Sequence, residues 1–212
     1  MAESSIRWGG VVLFVGAILF GVALILASFG PTKALLSPTT SIFLLTSSVL
    51  VMLALPAMYA RQANSAGAIG LGGYILLEVG MTFLVIYAAA PLVFPMLKEP
   101  PGESPLAFFL GVSLVLGILL SSIATIRAGV FPRLTGILLL GATIGFFFDF
   151  FIAEFLPPIA GQVGGAFFGA VISVALAWIG VSIWKNQDDR LLVGASILEG
   201  SYKEGESTWK RR

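Results

Sequence analysis

Residues 67–97 (GAIGLGGYILLEVGMTFLVIYAAAPLVFPML) form a membrane-length apolar run with one carboxylic acid, Glu78, about halfway along it. An acid at that depth costs about 2.5–3.5 kcal/mol on insertion scales. It must therefore face protein or water, or carry a proton. Steps of four on a helix put Gly70, Tyr74, Glu78 and Thr82 along one face. Such a polar stripe can satisfy a carboxyl, hold a chain of waters, or bind a proton or cation. Asp149 is the second candidate. It lies on the ridge Gly141–Gly145–Asp149–Ala153, which turns it toward a neighbouring helix and nearer the outer surface than Glu78. Glu154, roughly opposite Asp149 around the helix, is read as solvated. No Lys or Arg lies within a span to pair with either acid, so neutral at rest is the natural state of Glu78. Two readings of it stay open: a proton or cation site, or a protonated acid donating a structural hydrogen bond.

The residue types that are missing exclude more chemistry than the acids add. The chain has no Cys and no His, so disulfides, thiol chemistry, Fe–S clusters, His-ligated haem and the usual zinc sites are out of reach. No metal and no cofactor is expected. Intramembrane aspartyl proteolysis needs two facing acids in characteristic contexts, and the Phe-rich setting of Asp149 is not one. Membrane serine proteases, lipid phosphatases and prenyl-protein proteases mostly rely on His. Retinal needs a Lys inside a span. The chain is therefore read as non-enzymatic.

Composition says what must position these acids. Of 212 residues, 58% are hydrophobic and 11% charged, with a mean hydropathy of +1.00. A soluble domain carries about 25% charged residues, so the lipid bilayer is the first partner. The formal net charge is +1, and no basic stripe interleaved with aromatics points to nucleic acid.

Six stretches reach the roughly 20 residues that cross a bilayer, at about 8–29, 40–60, 67–90, 105–126, 133–156 and 159–184. The sequence thus predicts an all-α, polytopic transmembrane bundle of six spans. Gly30-Pro31, Pro91 with Pro95, and Pro157-Pro158 serve as stops, and Ser104-Pro105 as a helix start. Arg61–Ala66 and Arg127–Arg133 read as tight polar turns, and Pro56 as a kink. The first span is too long for a cleaved signal peptide and lacks a small-x-small site. Counting basic residues near span ends gives Arg7, Arg61, Arg127, Arg133, Lys185 and Arg190 on one side and Lys33 and Lys98 on the other. That asymmetry predicts both termini in the cytoplasm, N-in and C-in, in a bacterial inner membrane. Residues 185–212 form a polar tail, read either as mobile or as a short helix capped by Asp188-Asp189.

Small residues at four-residue spacing mark helices that touch protein, because they let backbones approach where lipid removes the hydrophobic drive. Span six carries Gly161, Gly165, Gly169, Ser173 and Ala177, with Phe168 off that ridge. Span four carries Ser113, Gly117, Ser121 and Thr125, and span five Gly141 and Gly145. These ridges are read as packing within the chain. A homo-oligomer or membrane-protein partner through span six is the alternative. Spans two to three and four to five also share a faint hairpin echo when Gly73 is aligned with Gly136.

The segments YARQANSAGAIGLGGYILL, RAGVFPRLTGILLLGA and ALAWIGVSIW resemble parts of uncharacterised six-span bacterial inner-membrane proteins. The likeness covers spans two to six and implies the same topology. That family has no assigned activity to carry over. The functional expectation is an accessory, assembly or scaffold subunit, with a small proton- or cation-coupled transporter or channel using Glu78 as the alternative.

Overall fold

The structure, a computed structural model, describes residues 2–29, 37–93, 105–152 and 158–209, with side chains at 4–29, 37–93, 105–148, 151–152, 159 and 161–185. The described residues fold into five helices and no strand: α1 (Ala2–Ser28), α2 (Pro38–Val93), α3 (Pro105–Ala128), α4 (Arg133–Phe151) and α5 (Pro158–Trp209). Each packs on its neighbours in chain order and α5 closes onto α1, so the five make a ring.

Six spans are not supported. Among the described residues, four helices are long and apolar enough to cross a membrane: Ser4–Ser28, Pro38–Val93, Pro105–Ala128 and the Gly161–Lys185 part of α5. Two differences account for the change. The predicted spans 40–60 and 67–90 fall in one apolar stretch, α2, whose break lies at Gly67 and not in the polar run Arg61–Ala66, which is helical. The predicted span 133–156 ends early, at Phe151, where the Ile152 N–H bonds the Phe148 carbonyl at 2.9 Å. Among the described residues its apolar stretch, Arg133–Phe148, is shorter than the four above.

A straight helix of 56 residues would run about 84 Å, well over twice the hydrocarbon core. α2 does not run straight. Gly67 adopts φ 56°, ψ −151°, a region essentially reserved for glycine. The chain reverses there into a first arm (38–66) and a second arm (68–93). Pro56, by contrast, stays within helical geometry.

The polar residues before the reversal survive inside a helix because they find partners on other helices. Arg61 Nη2 donates to the Ile183 carbonyl of α5 at 2.9 Å. Thr125 Oγ1 of α3 donates to Gln62 Oε1 at 3.4 Å, with both residues buried. These bonds bring the Arg61 and Arg127 ends of α2 and α3 beside the Lys185 end of the membrane part of α5. Arg7 joins them, its guanidinium 5.8 Å from the Trp184 ring centroid. Between α3 and α4, buried Phe131 plugs the turn and Gly129 takes φ 62°. Thr135 donates to the Pro132 carbonyl at 2.6 Å and starts α4 beside Arg133. Arg7, Arg61, Arg127, Arg133 and Lys185 thus share one end of the ring.

Beyond Lys185 the backbone of α5 stays helical to Trp209, so Asp188-Asp189 starts no separate helix. The loop 94–104, Ser104, Glu154 and the stop at Pro157 lie outside the described residues.

Candidate functional site

The reversal at Gly67 decides what Glu78 faces. Folding the arms together stacks Tyr59 on Tyr74, ring centroids 5.0 Å apart, and brings Thr82 Oγ1 within 3.8 Å of Met52 Sδ. Both contacts fix the same antiparallel register. That register sets Glu78 level with Pro56, which is exposed and, as a proline, offers no N–H to the Met52 carbonyl. Glu78 therefore stands one turn beyond the Tyr59–Tyr74 stack, level with Pro56 of the first arm. It is half-buried, as are Tyr59, Tyr74 and Met52.

Tyr74, one turn before Glu78 on the same arm, places its hydroxyl within electrostatic reach of the carboxyl. Thr82 is exposed, and its hydroxyl donates to the Glu78 backbone carbonyl at 2.8 Å. Its proton is thus given to the helix and not to the carboxyl. Gly70 leaves the stripe altogether: it is buried, and a Cβ there would strike Ala66. Of the four residues at steps of four, Tyr74 and Glu78 stay together, both half-buried. Asp149 lies in the last turn of α4, near the opposite end of the ring from Arg133, and its side chain is outside the described set.

Sequence reading could not include Tyr59, Met52 and Pro56 in this group. Their place depends on the register across Gly67, and a single glycine in GAIGLGG carries no mark that it, among four, makes the turn.

A cavity of about 20 Å³ lies inside the ring, lined by Val51, Leu55, Met58, Leu77, Met81, Ile118, Ser121, Leu139, Ile172 and Leu176. Every liner but Ser121 is apolar, and Glu78 is not among them.

The small residues are used for close helix contact. On the α2–α3 seam, a Cβ on Gly73 would come 2.8 Å from the Ser121 nitrogen, and one on Gly117 2.8 Å from the Leu77 nitrogen. Ser113 is buried on the same helix. On the α1–α5 seam, a Cβ on Gly180 would come 2.7 Å from the Gly10 carbonyl oxygen, and one on Gly169 2.7 Å from Leu24 Cβ. Ser173 sits opposite Gly21. On the α4–α5 seam, Gly145 is covered by the Phe168 ring, so Phe168 is a packing residue in its own right. The outer members of the ridges differ. Nothing lies within 4 Å of a Cβ built on Gly141, Gly161 or Gly164, and Gly165 is half-buried.

Among the described residues, no group of three or more acidic, His or Cys side chains could hold a metal ion. Compared with protein-family models, curated proteins and solved structures, the chain gives no significant match. What the fold and site define is a class: an all-α protein with four helices able to cross a membrane.

Proposed function

We propose that this chain is a non-enzymatic scaffold or assembly subunit of a bacterial inner membrane, with both termini in the cytoplasm. The observation that carries the reading is the setting of Glu78. Glu78 is half-buried on the second arm of α2, one turn beyond the Tyr74 ring that stacks on Tyr59 of the first arm, and it does not line the small apolar cavity at Val51, Leu77 and Met81. A carboxyl held beside the aromatic stack that joins two helical arms serves architecture. A carboxyl that moves ions needs a hydrated route. The gathering of Arg7, Arg61, Arg127, Arg133 and Lys185 at one end supports the orientation, since cytoplasmic ends collect Lys and Arg.

A second reading, proton or cation coupling at Glu78, draws on the half-exposed state of the carboxyl. Proteoliposomes separate the two. The scaffold reading expects the wild type and Glu78→Gln to pass protons at the same background rate. It also expects a photo-crosslinker at exposed Phe108 or Phe167 to capture one membrane protein reproducibly in cells. A pH-driven flux present in the wild type and lost in Glu78→Gln overturns it in favour of coupling.

A further inference from the structure

The basic end of the ring is uneven, and one corner of it has the parts of a lipid site. Where the ends of α1 and α5 meet, Arg7 and Trp8 follow one another on α1 and Trp184 and Lys185 on α5, all four exposed. Trp8 is 68% exposed and Trp184 44%. The Arg7 guanidinium lies over the Trp184 ring at 5.8 Å. From the neighbouring arm of α2, Arg61 is tied to the Ile183 carbonyl one residue before Trp184. Three helices thus deliver three cations and two indoles to one place. The contacts that Arg7 and Arg61 already make hold their guanidinium groups in position, so little freedom is lost when an anion arrives.

The depth of this corner selects the ligand. It caps the apolar stretches Ser4–Ser28 and Gly161–Lys185, which is where headgroups lie in a bilayer. Indoles favour that layer and basic residues there attract anionic lipid. The seam beneath it is built from Gly10 against Gly180, so the two backbones meet closely just inside the headgroup layer. Arg127 and Arg133, at the other side of the same end, are also exposed cations. Their turn, RAGVFPR, has no tryptophan.

We propose that the Arg7–Trp8–Trp184–Lys185 corner, with Arg61 behind it, is a binding site for the headgroup of an anionic phospholipid. The phosphate lies against Arg7 and Lys185, and the indoles flank the glycerol and upper acyl region. The site requires only a bilayer with anionic lipid and is independent of the scaffold reading.

The test is native mass spectrometry of the purified full chain, titrated with phosphatidylglycerol and phosphatidylcholine of equal acyl length. The wild type should retain the anionic lipid preferentially. Each cation removed should lower that preference about fivefold, so Arg7→Gln with Lys185→Gln loses most of it. Arg127→Gln with Arg133→Gln should leave it intact. Equal loss in both double variants would reduce the corner to general surface charge and overturn the site. Inorganic phosphate at millimolar concentration should not displace the lipid, and displacement would mean a free-anion site instead. If the Arg7/Lys185 variant does not fold, brominated lipids test the same site in the wild type. Brominated phosphatidylglycerol should quench tryptophan emission more than brominated phosphatidylcholine, and Trp8→Phe with Trp184→Phe should erase the excess. Equal quenching by the two lipids overturns the proposal.

Discussion

Tyr59 and Tyr74 stack with ring centroids 5.0 Å apart, although fifteen positions separate them within one helix. Along an uninterrupted helix those positions would stand about 22 Å apart. The stack exists because Gly67 turns the chain back, and it sets the register that brings Glu78 level with Pro56. The candidate site is therefore a product of one backbone conformation.

Gly67 should tolerate no side chain. Its φ of 56° and ψ of −151° suit glycine alone, and conformations of this kind cost other residues about 1–3 kcal/mol. Space is not the obstacle, since nothing lies within 4 Å of a Cβ built there. Gly67→Ala should lower the midpoint of unfolding in detergent or SDS titration by a cost in that range. Gly72→Ala, whose Cβ would meet Leu120 at an ordinary 3.7 Å, should be close to neutral. Equal stability of the two variants would show that the reversal does not need this conformation.

The Tyr74–Glu78 pair should behave as a structural unit. In Glu78→Gln the amide oxygen can still accept from Tyr74, so stability should change little. Glu78→Leu takes the carboxyl away from the Tyr74 hydroxyl and should cost up to about 1.5 kcal/mol, the scale of one hydrogen bond. Tyr74→Phe should cost about the same, and the double variant no more than either single one. Additive losses in that cycle would mean the two side chains act separately.

The helical character, the start of α3 at Pro105 and that of α4 at Arg133 were legible in the sequence, because Pro and a polar flank mark a helix start without reference to anything distant. The small-residue ridge of α3 was legible for the same reason: spacing alone puts Gly117 and Ser121 on one face. The break between the arms of α2 was legible, but not its position: the polar run Arg61–Ala66 suggests the turn, and the structure puts it at Gly67. Arg61, Gln62, Asn64 and Ser65 look like a surface turn, yet Arg61 and Gln62 are held inside a helix by Ile183 and Thr125, far away in sequence. Polarity marks a turn only when no partner waits in the fold. The polar stripe failed in the same way. Gly70 shares a helix face with Tyr74, but the angle of packing against α3 buries it while Tyr74 stacks on the other arm. Phe168 looked incidental beside the glycine ridge, and its role appears only with Gly145 of α4 beneath it.

The α1–α5 seam should be intolerant in proportion to what blocks each site. A methyl on Gly180 meets backbone, at 2.7 Å from the Gly10 oxygen and 2.9 Å from the Phe14 nitrogen, and backbone yields only by moving the whole helix. One on Gly169 meets Leu24 Cβ at 2.7 Å. Overpacking of this kind costs about 1–3 kcal/mol, so both alanine variants should melt lower, Gly180→Ala the more so. Gly164→Ala, with open space above it, should match the wild type. Phe168→Ala should melt lower than Phe167→Ala, since Phe167 is 61% exposed. Equal melting of Gly180→Ala and Gly164→Ala would sink the assignment of this seam.

Orientation can be tested directly, and it rests on a cluster that the fold assembled from distant positions. Arg61 reaches Ile183, Arg7 covers Trp184, and Gln62 with Thr125 brings Arg127 to the same end. Basic ends stay in the cytoplasm, so a reporter fused after Arg212 should be active there. One inserted at Glu99–Glu103, between the far ends of α2 and α3, should be active outside. Charge should be the cause as well as the marker. Replacing Arg127 and Arg133 by Gln leaves Arg7, Arg61 and Lys185 to hold the orientation, and both reporters should read as in the wild type. Adding Gln at Arg7, Arg61 and Lys185 removes the asymmetry, and the reporters should then give mixed activity. A C-terminal reporter active outside in the wild type would overturn the orientation. An unchanged reading after all five substitutions would show that these residues do not set it.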